Sequence, residues 1–220
     1  MAKLNLQYFG GRGASSASAG SKGVNTPEEN EALEWYISGE GMWINEALRG
    51  RGGVSMDDLS GEERTLLKNL DSATNKEVVK QGTLYRSVDA EAVFGQMSDL
   101  DYENLRGLVV YGDTLGKGAY ADGIRQRIGN ILNRTNGKTI NEKGFMSTTT
   151  DASIAMDWGG FTGSSKPIVL ELKTNKRTKG ADLTKHRMAQ SEVLVARNQK
   201  YTIDSIGTKN GQIYVKAHFE

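Results

Sequence analysis

Apolar and polar positions recur at two different periods along this chain, and the change of period divides it. Helical spacing dominates the first half, where apolar residues return every three or four positions; the last third alternates or runs apolar in short bursts. Thr26-Pro27-Glu28-Glu29 has the signature of a helix start: a capping hydroxyl, proline at the first position and acids in the first turn. The apolar segment 33–37 breaks at Ser38-Gly39-Glu40-Gly41, and 42–48 resumes as a second short helix. Residues 57–70 form an amphipathic helix with Leu59, Leu66, Leu67 and Leu70 on one side. Residues 82–88 read as a strand, 90–108 and 119–133 as helices, and 144–149 as a second strand. Segments 168–172, 192–196, 201–206 and 212–219 then follow as strands in quick succession. Helices first and closely spaced strands last predict an α+β fold with antiparallel sheets.

The region before Thr26 has a different character. Gly10-Gly11-Arg12-Gly13 and the Ala/Ser run to Gly20 cannot bury enough apolar surface to offset the entropy of ordering them. Residues 1–25 are expected to be a flexible arm and 26–220 the folded domain. Residues 4–13 are similar to the start of many phage structural and head-associated proteins, which suggests a phage or prophage origin.

Composition removes several functions. The chain has no cysteine, so disulfides, thiolate catalysis and thiolate metal sites are excluded. Its two histidines, His186 and His218, lie far apart without ligand spacing, and no metal is expected. A net charge of +1 gives no global field for nucleic acid or membrane, although 166–200 is locally basic. No apolar run is long enough to span a bilayer, and residues 1–9 lack the apolar core of a secretion signal. The glycines of 112–118 do not have the spacing of a phosphate loop.

Three polar signals sit at strand edges in apolar settings: Arg86 within Leu84-Tyr85-Arg86-Ser87-Val88, Ser147 and Thr149 within 144–149, and Gln190-Ser191-Glu192 before Val193-Leu194-Val195. If 190–192 is extended, Gln190 and Glu192 project together and Ser191 turns away. Arginine offers a planar fork for phosphate, hydroxyls orient by hydrogen bonds, and a carboxylate steadies a developing cation. Each has an ordinary structural explanation when taken alone. Together they suit a phosphate-bearing electrophile whose reacting carbon becomes cationic.

The ordered combination of Arg, Ser-Thr-Thr and Gln-x-Glu resembles the mono-ADP-ribosyltransferase exoenzyme family, in particular the Rho-modifying exoenzymes. Glu34-Trp35-Tyr36-Ile37-Ser38 with Ile44-Asn45-Glu46-Ala47-Leu48-Arg49 is similar to the family's N-terminal helices, and the resemblance runs from about Pro27 to about Gly207. It implies N-terminal helices followed by two facing antiparallel sheets that form an NAD cleft. It also implies that NAD is cleaved and ADP-ribose passed to a target protein. On that resemblance Glu192 stabilises the cationic ribose, Ser147 orients the ribose and holds Glu192, and Thr149 supports it. Arg86 grips the pyrophosphate, beside Ser87 where the family often has glycine. Asn45 and Arg49 are further contacts to phosphate or ribose, and Phe161 offers an aromatic surface to NAD. Gln190 in place of glutamate implies an acceptor other than arginine. Two alternatives stay open: an NAD glycohydrolase using the same site, and a non-catalytic phage head protein. The place of action is expected to be a host-cell cytoplasm or the virion, reached by delivery.

Overall fold

The computed structural model describes residues 24–161, 165–184, 186 and 191–220. They fall into two compact units. The first takes the described residues up to Lys80 with Glu142–Thr148 and Lys176–Gln199; the second takes Gln81–Asn141, Thr149–Asn175 and Lys200–Glu220. The arm expected over 1–25 lies almost wholly outside the described residues. No described helix is long and apolar enough to cross a membrane.

The first unit begins with α1 (Pro27–Trp35), which starts where the sequence signature places it. Thr26 accepts from the Glu29 amide, and Glu29 accepts in return from the Thr26 amide. Glu29 is 4% exposed and also accepts from Ser72 and Lys76 of α3 (Gly61–Asn75) and its cap, which ties the two helices together. A π-helical kink over Tyr36–Glu40, with Gly39 at φ 95°, separates α1 from α2 (Gly41–Arg49). A side chain at Gly41 would stand 2.3 Å from the Tyr36 ring, so the close approach there requires glycine. α3 starts later than the hydrophobic pattern suggests. A separate 3-10 turn takes Met56–Asp58, and Ser60 supplies a new cap that accepts from Glu63.

The first unit also carries Met146–Thr148 of β3 (Met146–Thr149), β6 (Glu192–Val195) and β5 (Gly180–Asp182), in the order β3-β6-β5. Its core joins Leu33, Ile44 and Leu70 of the helices to Phe145, Leu183 and Leu194 of the sheet side. Phe145 is fully buried and meets the Tyr36 ring edge-on at 5.9 Å.

The second unit is built on strands in the order β2-β7-β8-β4-β1. These are β1 (Thr83–Asp89), β2 (Thr139–Glu142), β4 (Pro167–Lys173), β7 (Gln199–Lys209) and β8 (Gln212–Phe219). β1 runs antiparallel to β4 over its whole length, from Thr83↔Lys173 to Asp89↔Pro167. β7 and β8 form a hairpin whose turn residues Asn210 and Gly211 both take positive φ, as a tight hairpin of matching twist requires. β4 and β8 pair in parallel, a departure from the all-antiparallel expectation. The helix expected over 90–108 is two helices, α4 (Glu91–Phe94) and α5 (Asp99–Val110). Gly95 at φ 83° cannot continue a right-handed helix, and Ser98 caps the new one. α6 (Ala119–Thr135) and α7 (Ala152–Phe161) complete the α+β architecture, with helices first and an antiparallel-rich set of strands.

Candidate active site

In the first unit the site is built outward from α2. Asn45 and Arg49 lie one turn apart and therefore on the same face of the helix. Asn45 accepts from the Phe145 amide at 2.8 Å and donates to the Tyr36 hydroxyl at 2.6 Å. Arg49 donates to the Phe145 carbonyl at 3.1 Å and, through Nε, to Glu142 at 2.8 Å. Glu142 accepts from the Gly144 amide as well. A side chain at Gly144 would come within 2.7 Å of Asn45 and 2.9 Å of Arg49, so glycine is what allows this approach. The structure thus places Asn45 and Arg49 against the backbone that leads into β3. Two donor positions of the guanidinium are committed there.

That clamp fixes where β3 begins, and Thr148 fixes its neighbour. The Thr148 hydroxyl is buried and donates to the Val193 carbonyl of β6 at 2.7 Å. Each of these strands has four residues, and in each only one escapes full burial: Ser147 in β3 and Glu192 in β6. Ser147 and Glu192 are therefore the half-buried residues of adjoining strands whose other positions are buried. The Glu192 carbonyl accepts from Leu183, which holds the first residue of β6 in the sheet.

Ser191 has φ 51°, in the left-handed region, and the strand starts only at Glu192. Ser191 itself is therefore not extended. Gln190 itself lies outside the described residues.

In the second unit Arg86 sits mid-strand in β1, half-buried and opposite Leu170 of β4. Ser87 beside it is 7% exposed. Thr149 is fully buried opposite Tyr85, and its hydroxyl accepts from the Asp151 amide at 3.1 Å. It thereby shapes the turn into α7, where Asp151 accepts from the hydroxyl and amide of Ser153. Those Ser153 bonds hold the Asp151 carboxyl below its ordinary value. Phe161 closes α7, and its side chain lies outside the described part of the structure. No group of three or more ligating side chains capable of holding a metal occurs among the described residues. His218 is paired with Asp204 and His186 stands near Glu34.

A family model described as ADP-ribosyltransferase exoenzyme matches residues 3–218. The chain belongs to that family. It is accordingly an NAD-dependent mono-ADP-ribosyltransferase, with NAD as the donor substrate. Solved structures of similar fold include an ADP-ribosyltransferase from Clostridium botulinum, 22% identical with a TM-score of 0.61 over 89% of this chain and 87% of that one. A protein from S. aureus, solved with NAD, has the same identity, coverage and TM-score. The Vis toxin, an ADP-ribosyltransferase from Vibrio splendidus, is 18% identical with a TM-score of 0.58, over 89% of this chain and 74% of that one. None of the curated proteins matches the chain significantly by sequence.

Ser147 and Glu192 supply a hydroxyl and a carboxylate at the half-buried positions of β3 and β6. Glu142 stands in no motif of the sequence, and Tyr36, Gly144 and Thr148 stand in motifs that give no sign of the bonds and close approach by which they hold these strands in place. Arg49 and Glu142 are 93 residues apart, and no local pattern links them.

Proposed function

We propose that this chain, with 26–220 as its transferase domain, moves ADP-ribose from NAD to a protein side chain other than arginine, releasing nicotinamide. The bond between nicotinamide nitrogen and ribose C1′ breaks with its electron pair leaving on nicotinamide, and C1′ becomes cationic. A carboxylate fixed beside that carbon stabilises the transition state more than bound NAD, which is what raises the rate. Glu192 has this role, Ser147 orients the ribose, and Arg86 holds the pyrophosphate, with Ser87 and Thr149 shaping its surroundings. Asn45 and Arg49 serve NAD chiefly by fixing the strand that carries Ser147. The acceptor's lone pair then forms the new bond to C1′, and its proton leaves to solvent. Gln190 supplies an amide rather than a base, which suits an acceptor amide able to pair through two hydrogen bonds better than a guanidinium that must lose a proton.

The observation that carries this reading is the half-buried position of Ser147 and of Glu192 on strands tied together through Thr148. Labelled NAD incubated with the protein and a bacterial or eukaryotic lysate tests it. Label on a discrete protein band is the expected result, and Gln190→Glu should weaken that band while sparing NAD cleavage. Free ADP-ribose with no labelled band would replace transfer by hydrolysis. Absence of any NAD turnover would overturn both.

A further inference from the structure

The second unit contains a pocket of about 520 Å³ that none of Arg86, Ser147 or Glu192 lines. Its floor comes from one face of the sheet. Tyr85 of β1 is paired with Glu171 of β4, and Glu171 with Lys216 of β8, so the three side chains stand in a row across the strands. Arg86, next to Tyr85, points to the other face by strand alternation. Tyr214 lies two residues before Lys216 and shares its face, opposite Gly207 of β7. Gly207 does not take a left-handed φ, and a side chain there would meet nothing within 4 Å. Its bare backbone keeps the space in front of Tyr214 open.

Among the described residues, three polar side chains of this pocket make no hydrogen bond or ion pair. Tyr214 is 2% exposed, and its hydroxyl is buried with no hydrogen bond. The side chains of Glu171 and Lys216 make no hydrogen bond or ion pair among the described residues, although both residues are paired in the sheet. Buried polar groups are nearly always satisfied, so an orphan hydroxyl on a residue that lines a pocket marks a place where a ligand can supply the missing bond. The charge is also layered. Burial, and then the Glu171 carboxylate, raise the Tyr85 phenol above its ordinary value; burial, then Tyr85 and Glu171, do the same to Tyr214. Glu171 is the charged group of the floor, a carboxylate between Tyr85 and Lys216 in the row, while Lys209 and Lys216 are exposed and basic. Lys209 already rests its ammonium 5.6 Å from the centre of the Tyr214 ring, a cation seated on the aromatic face.

We propose that this pocket binds a small zwitterion, its ammonium or guanidinium against Tyr85, Glu171 and Tyr214 and its carboxylate against Lys209 and Lys216 at the rim. The Tyr214 hydroxyl accepts one of the ligand's N–H groups, Glu171 balances its charge, and Lys209 moves from the ring to the carboxylate. Free basic amino acids have this chemistry, as does a peptide ending in lysine or arginine.

Calorimetric titration of the full chain with lysine, arginine, a tripeptide ending in lysine, cadaverine and inorganic phosphate tests the assignment. Lysine or arginine should bind, cadaverine should bind several-fold more weakly for want of a carboxylate, and phosphate should not compete. A tripeptide that binds more tightly than free lysine makes the peptide terminus the natural source; the reverse order makes it the free amino acid. Glu171→Gln should weaken binding roughly tenfold or more. Gly207→Val should abolish it while leaving the melting temperature and NAD cleavage unchanged, because valine suits a strand and meets open space. Tyr214→Phe should weaken binding without lowering thermal stability. The proposal is overturned if no amino acid or peptide binds at millimolar concentration, if phosphate binds in their place, or if Glu171→Gln leaves affinity unchanged.

Discussion

The two units use polar side chains in opposite ways. In the first, Asn45, Arg49, Glu142 and Thr148 are all bonded, to one another's strands or to backbone groups at 2.7–3.1 Å. In the second, the pocket of Tyr214 and Glu171 offers polar groups that no described residue satisfies. A satisfied network fixes geometry, because moving any member exposes an unpaired group in a poorly solvated place. An unsatisfied set is costly until something fills it. The difference teaches which polar residues of this enzyme hold its shape and which face a ligand.

The comparison can be broken most forcefully at its hydrophobic support. Phe145→Ala removes a fully buried ring from beside both the Asn45 and Arg49 contacts and is expected to cost about 3–5 kcal/mol, seen in denaturant unfolding. Glu142→Ala should cost roughly 2 kcal/mol, between the values for exposed and buried pairs, since the Arg49 and Glu142 side chains are 17% and 18% exposed. It should also raise KM for NAD more than it lowers kcat if the clamp serves binding.

Acid sharpens the same contrast through Glu29. Burial opposes its ionisation, but bonds from Lys76, Ser72 and the Thr26 amide outweigh that and leave its folded value lowered. A lowered carboxylate contributes stability above its unfolded value and loses it as pH falls through the folded one. Melting followed from neutral pH downward should therefore show a loss that Glu29→Gln flattens. The smallest effects should differ in sign. Thr148→Val removes a made hydrogen bond and should cost about 1 kcal/mol, whereas Tyr214→Phe removes an unmade one and should be neutral or slightly stabilising.

What the sequence reveals follows the range of each signal. The Thr26 cap, the Gly39 break and the strands around Arg86 and Glu192 are written in neighbouring residues, and they fold as those residues suggest. The break at Gly95 was also local, but a continuous helical pattern on both sides concealed it. The parallel pairing of β4 with β8 and the Arg49–Glu142 bond join residues far apart in the chain, where periodicity carries no information. Ser191 is a different case: a serine rarely takes φ 51°, and no neighbouring residue signals that the chain turns there, just before a strand that starts at Glu192 as expected. Among the candidate site residues, Ser147 and Glu192 lie on the strands that the sequence predicts for them, whereas the bonds that make Asn45 and Arg49 a clamp have no local signal.

The central claim is that the Glu192 carboxylate acts on the breaking bond rather than on the stability of the fold. The most direct measurement is turnover of labelled NAD by Glu192→Gln, run beside its thermal melt. The expected result is a fall of roughly 10²–10³-fold or more with melting shifted by no more than a few degrees. Turnover within a few-fold of the natural chain, or turnover lost only together with the folded state, would contradict it.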